Sequence, residues 1–257
     1  MVYDFKINRI LFYVGWIGYL LMVPVLLYVV ELEVFQVILL GFIFIFGLRI
    51  IMRRNTSRAY QAMHQRLYLY GEAKEHLESV ESIYRRPTSS KRIFQAVRLQ
   101  NYAMANVFAG DFALAKKVNE DLKENYTDSY QNQPSMRFSS ALIDVLIHLF
   151  ELDKEALDQA FAHLQEELET LQEQHRENVK TNPYSVYYMI NLTKTFIEKD
   201  TLTLEDVENE LLDKGEFLKT CVLYTLYTNE ILSASERTTL TRSEGNTMFY
   251  KDENRKY

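Results

Sequence analysis

Residues 34–48 read VFQVILLGFIFIFGL and residues 49–58 read RIIMRRNTSR, so fifteen residues without a formal charge run directly into four arginines. A helix on the surface of a soluble core keeps its apolar residues to one stripe; here they point in every direction, which suits lipid. The dozen Val, Leu, Ile and Phe side chains from Val34 to Leu48 give roughly −4 to −7 kcal/mol for insertion before end effects. A membrane span needs roughly 20 residues. The run reaches that length if Ile50, Ile51 and Met52 continue it while Arg49 snorkels towards the headgroups. A span over about 34–52 is therefore expected.

Upstream, Ile10 to Val30 (ILFYVGWIGYLLMVPVLLYVV) is a second uncharged stretch. Its Tyr13, Trp16 and Tyr28 suit the aromatic belt at a membrane interface, and Pro24 is a place for a kink. A cleaved signal peptide would have a shorter apolar region followed by a small-residue cleavage site; none occurs before Val34. The acidic link Glu31-Leu32-Glu33 leaves room only for a tight turn. Residues 1–54 therefore read as a transmembrane hairpin with spans at about 10–30 and 34–52, and the lipid bilayer as its partner. Lys6 and Arg9 precede the first span, and Arg49, Arg53, Arg54 and Arg58 follow the second. By the positive-inside rule both termini are cytoplasmic in a multi-pass cell-membrane protein.

The chain has 257 residues, and what remains beyond the membrane, roughly 200, suffices for one domain with its own core. A net charge of −6 and a pI near 5.5 argue against a general nucleic-acid binder, which carries a basic surface. The basic pairs Arg85-Arg86 and Lys91-Arg92 read as solvated. The single cysteine, Cys221 in FLKTCVLYTLY, cannot form an intramolecular disulfide and reads as buried and inert, in keeping with a reducing cytoplasm.

Eight glycines, four prolines and polar–apolar patterns at helical spacing after Met52 point to an all-α domain over 55–234. Leu157, Ala160, Phe161, Leu164, Leu168 and Leu171 form one helical stripe, with Glu166, Glu167, Glu169, Gln172 and Glu173 as a solvated face around it. Pro87, Pro134 and Pro183 lie in polar, turn-like surroundings and divide units at about 55–86, 88–130, 135–180 and 183–234. Gly110-Asp111 breaks the second unit and Leu152-Asp153 the third, so each unit is expected to be helix, turn, helix. FAGDFALA (108–115), FELDKEA (150–156) and YLYGEA (68–73) resemble one another at a spacing of about 42 residues. Helical hairpins that cannot bury their apolar faces alone stack into a solenoid.

Within this pattern, LQNYAMANVFAGDFALAKKVNEDL (99–122) resembles a tetratricopeptide repeat. Leu99, the small Ala103, the Gly110-Asp111-Phe112 turn and Ala115 carry the resemblance. It departs at Asn106 and Asn119, where the family has aromatics, and at Thr127, where it closes with proline. The resemblance implies an α-solenoid that recognises a protein or peptide, with Gln100 and Met104 facing a concave groove. It suggests a membrane-tethered adaptor. The alternative is an accessory or regulatory subunit of a transporter or secretion complex docked by its hairpin, where Gly15, Gly18, Gly41 and Gly47 allow close helix approach. Compact proteins of this kind suggest a bacterial membrane. Homo-oligomerisation is left open.

Residues 235–257, poor in branched apolar side chains, are expected to be a disordered solubilising tail. Its Thr238, Thr239, Thr241 and Ser243 are alternatively phosphate acceptors. HLQEE at His163 lacks the second histidine of a zinc-protease clamp. Neither a glycine-rich phosphate loop nor a nucleophile elbow occurs. The spans hold no acidic residue and only a terminal arginine, unlike an ion path. No enzyme activity, metal or cofactor is expected.

Overall fold

A computed structural model describes residues 6–30, 32–84, 92–151, 153–199, 202–212, 214–228, 231 and 246–249. All regular structure among them is α-helical. The chain divides into two compact units, Met1–His64 and Gln65–Tyr257.

The first unit holds α1 (Lys6–Tyr28) and most of α2 (Val34–Tyr70). Pro24 lies inside α1. The two helices meet through small residues. The Tyr19 ring stacks on Phe44 at 5.6 Å, and its hydroxyl donates to the Val37 carbonyl. A Cβ at Gly41 would stand 2.7 Å from the Tyr19 oxygen, and one at Gly15 would stand 3.0 Å from Leu48. A Cβ at Gly18 or Gly47 would meet nothing within 4 Å beyond its own helix backbone and chain neighbours. Elsewhere the apolar surface faces outward: Phe35 is 71%, Phe42 69% and Phe46 68% exposed.

Among the described residues, Val34–Tyr70 alone is long and apolar enough to cross a membrane by length and composition. The span expected over 10–30 appears as a shorter apolar stretch, Phe12–Tyr28. The helix that holds the span expected over 34–52 continues to Tyr70, because RRNTSRAYQAMHQRLYLY contains no glycine or proline to stop it. Gly71, at φ +68°, provides the stop. The boundary expected between 54 and 55 thus falls inside a helix, and the division comes at His64–Gln65.

In the second unit, α3 (Ala73–Tyr84), α4 (Arg92–Ala109) and α5 (Phe112–Asn125) are followed by the short α6 (Thr127–Gln131) and α7 (Pro134–Glu151). Then come α8 (Lys154–Glu169), α9 (Glu173–Thr181), α10 (Val186–Ile197), α11 (Leu204–Leu211) and α12 (Glu216–Thr228). Chain breaks follow Tyr70, Ala109 and Glu151, where the three similar stretches lie. Asp111 and Asp153 do the same job at two of them: each Oδ1 accepts from the third backbone N–H beyond it, Leu114 and Ala156, at 3.1 Å.

Pro134 opens α7 and Pro183 lies between α9 and α10; Pro87 and both basic pairs include residues outside those described. The second expected unit gains the short α6 as a third helix, and the third and fourth also contain three helices each rather than two. Their additional breaks, at Thr170–Gln172 and between Ile197 and Leu204, carry neither glycine nor proline. The α8 stripe points inward, with Leu164 and Leu168 buried. Glu167, expected to be solvated, is a correction: it accepts from Arg137 Nε at 2.8 and 3.1 Å and ties α8 to α7.

Helix α7 packs against α4, α5, α6, α8, α10 and α12. Its Ile143, Val145, Leu146, Ile147 and Leu149 are buried, so an all-round apolar surface is spent on core contacts. Polar groups lock α5 to it. Asn119 donates to Asp144 Oδ1 (2.8 Å) and the Ser140 carbonyl (3.2 Å), and accepts from the Ser140 hydroxyl (2.8 Å). Lys123 reaches the other Asp144 oxygen at 2.6 Å. Asn119→Ala strands the Ser140 hydroxyl in the core and should cost about 1–3 kcal/mol. In equilibrium unfolding, the double variant Asn119→Ala/Ser140→Ala should lose less than the sum of the single losses.

Candidate interaction site

The residues singled out by the repeat resemblance sit at the α4–α5 corner. Leu99, Ala103 and Ala115 are buried between helices. Gly110 has φ +87°, Asp111 caps α5, and Phe112 is half-buried against the core. The departures at Asn106 and Asn119 are both buried and hydrogen-bonded, Asn106 to the Tyr102 carbonyl at 2.7 Å. Gln100 and Met104, expected to line a groove, are half-buried, and Met104 packs against the core. The exposed apolar side chains on α4 are Phe94 and Val97. Arg49, Arg53, Arg54 and Arg58 are exposed on α2; Lys6 and Arg9 lie in α1, with side chains outside those described.

The most elaborate polar and aromatic arrangement forms around residues 246–249, within the tail expected to be disordered. Asn246, Thr247, Met248 and Phe249 lie against the turns after α2 and α4 and along α12; the other residues of 235–257 lie outside those described. Thr247 N–H donates to the Gly71 carbonyl and Phe249 N–H to the Phe108 carbonyl, both at 3.0 Å. Asn246 Nδ2 donates to Thr220 Oγ1 at 2.7 Å and Glu216 Oε1 at 2.8 Å. Thr247 Oγ1 accepts from Lys74 N–H at 2.9 Å, satisfying a donor at the start of α3. Met248 is fully buried. The Phe249 ring stacks on Tyr224 (4.2 Å), meets Phe150 edge-on (4.7 Å) and lies 6.5 Å from Phe112. The available signal was a Met-Phe-Tyr cluster in a polar tail.

Beside this segment, Tyr68 packs edge-on against Phe217, which meets Phe108 in turn. Cys221 is fully buried, and that burial pushes its thiol well above the usual range. His163 is exposed 3.7 Å from Glu166, and no cluster of three or more metal-ligating side chains occurs among the described residues. The arrangement therefore offers shape, aromatic surface and backbone anchors.

Neither protein-family models, curated proteins nor solved structures give a match to this chain. What stands is the class: an all-α protein with one candidate membrane-crossing helix.

Burial, reinforced by Cys221, pushes the Tyr68 phenol up to about 12. A folded-state value above the ordinary value of about 10 means its contribution is fully present below pH 10 and lost as pH rises towards 12. The unfolding free energy followed by circular dichroism should fall over that window by about 2–3 kcal/mol in total from this group. Tyr68→Phe should flatten the fall.

Proposed function

We propose that this protein is a membrane-tethered cytoplasmic adaptor. An N-terminal two-helix hairpin, α1 and the first half of α2, anchors it, and a tetratricopeptide-like helical domain recruits a protein or peptide. The observation that carries the reading is the contrast between two all-round apolar helices. Helix α7 spends its apolar surface in a core, whereas the first half of α2 leaves its surface outward, where lipid would cover it. Glycines fitted to Tyr19 and Leu48 support pairing of α1 with α2. The arginines after Leu48 favour both termini on the cytoplasmic side, and a bacterial plasma membrane is the proposed setting. The second unit has its own core and stacked helical pairs, α3 on α4, α4 on α5 and α7 on α8, as a recognition solenoid would. Tethering raises the effective concentration of such a domain near other membrane components, so modest affinity suffices.

A second reading is favoured by Gly18 and Gly47, whose open surroundings could receive a helix of another membrane protein. The chain would then be an accessory subunit of an integral-membrane transporter or secretion complex. Crosslinking and co-purification from native cells separate the two. The full chain is compared with a chimera carrying an unrelated two-span anchor in place of residues 1–52. The adaptor reading expects the chimera to keep the main partner; loss of that partner in the chimera alone supports the accessory subunit.

A further inference from the structure

Residues 246–249 are held as a bound peptide is held. Two backbone N–H groups are anchored, on Gly71 and Phe108. An amide side chain is read by Glu216 and Thr220, a methionine is fully enclosed, and an aromatic ring is stacked on Tyr224 and Phe150. The receiving surface is shaped for this. Gly71 and Gly110 both have positive φ, and both lie directly under the segment. A Cβ at Gly71 would come within 2.8 Å of the Asn246 side chain, and one at Gly110 within 3.3 Å of the Phe249 backbone.

The segment, in contrast, fits at a cost. Phe249 has φ +53°, a left-handed conformation that an aromatic residue adopts only where its contacts compel it. Its tether to α12, the seventeen residues from 229 to 245, gives it the high local concentration of an intramolecular ligand. A segment of modest intrinsic affinity therefore stays bound in cis while remaining displaceable.

We infer that this pocket is the peptide-recognition site of the helical domain and that Asn246–Phe249 is its resident competitor. The inference rests on the adaptor reading and names its ligand: a peptide with an amide side chain, one spacer residue, then methionine and an aromatic. Such a partner makes the same anchors, and gains access when the tail leaves. Partner binding and tail release are then one equilibrium.

The test uses the full chain in detergent with a specific protease site inserted between residues 236 and 237, so that folding occurs with the tail attached. The probe is a fluorescent peptide of residues 244–252, EGNTMFYKD, read by anisotropy. After cutting and removal of the released tail, the peptide should bind at least ten-fold more tightly than to the uncut chain. Replacing the phenylalanine or the asparagine of the peptide by alanine should weaken binding at least ten-fold. An uncut Phe249→Ala chain, whose tail loses its aromatic anchor, should bind the native peptide like the cut protein. Equal binding by cut and uncut chains, undiminished binding of the alanine peptides, or no binding to cut protein that keeps its helical circular dichroism would each overturn the inference. Because only purified components enter this assay, its outcome is independent of the cellular capture that tests the adaptor reading.

Discussion

Helix α2 runs without interruption from Val34 to Tyr70, and backbone hydrogen bonding within one helix obliges two chemically different surfaces to share it. Its first half carries apolar side chains on nearly every face, most of them exposed. Its last turns place Leu67 in the core of the second unit and end at a positive-φ turn that glycine adopts without steric cost. On the proposed reading, lipid covers that first half. The arginines at 49, 53, 54 and 58 follow that half on a helix that does not itself change.

The second unit is organised around α7 in a comparable way. Its neighbours supply the cover that α2 lacks, and Asn119, Ser140 and Asp144 fix one of them, α5, by hydrogen bonds that water cannot replace inside the core. The turns at Gly71 and Gly110, separated by two helices in the chain, meet the same four-residue segment. Corner glycines that first read as helix punctuation thus carry a second requirement, which is clearance for a peptide backbone.

These double uses explain which features were legible in the sequence. The Gly110-Asp111 and Asp153 breaks were readable because a positive-φ glycine and an N-cap aspartate each have a local physical signature. The inward stripe of α8 was readable from its period. The continuation of α2 to Tyr70 was not legible because a run of arginines ends an apolar stretch without ending a helix. The breaks before α9 and α11 lack glycine and proline, but the second carries another local signature, the capping box in which Thr203 Oγ1 accepts from the Asp206 N–H and Asp206 accepts from the Thr203 N–H. Glu167 looked like one more charge on a solvated face because Arg137, thirty residues away, is brought beside it by the fold. Composition averaged over the tail concealed Met248 and Phe249, whose burial depends on two distant turns.

Cysteine scanning along α2 in native membranes tests the account most directly, since Cys221 is fully buried with a raised thiol pKa and adds little background. Single cysteines from position 34 to position 70 are labelled with a membrane-impermeant maleimide in opened vesicles. Protection should be continuous on every helical face to about Met52. It should then become periodic, with Met63 and Leu67 protected and Gln61, His64 and Gln65 labelled, as their burial dictates. Labelling at Phe35, Phe42 and Phe46 comparable to that at Gln61 would contradict the account, because those faces would then meet water rather than lipid.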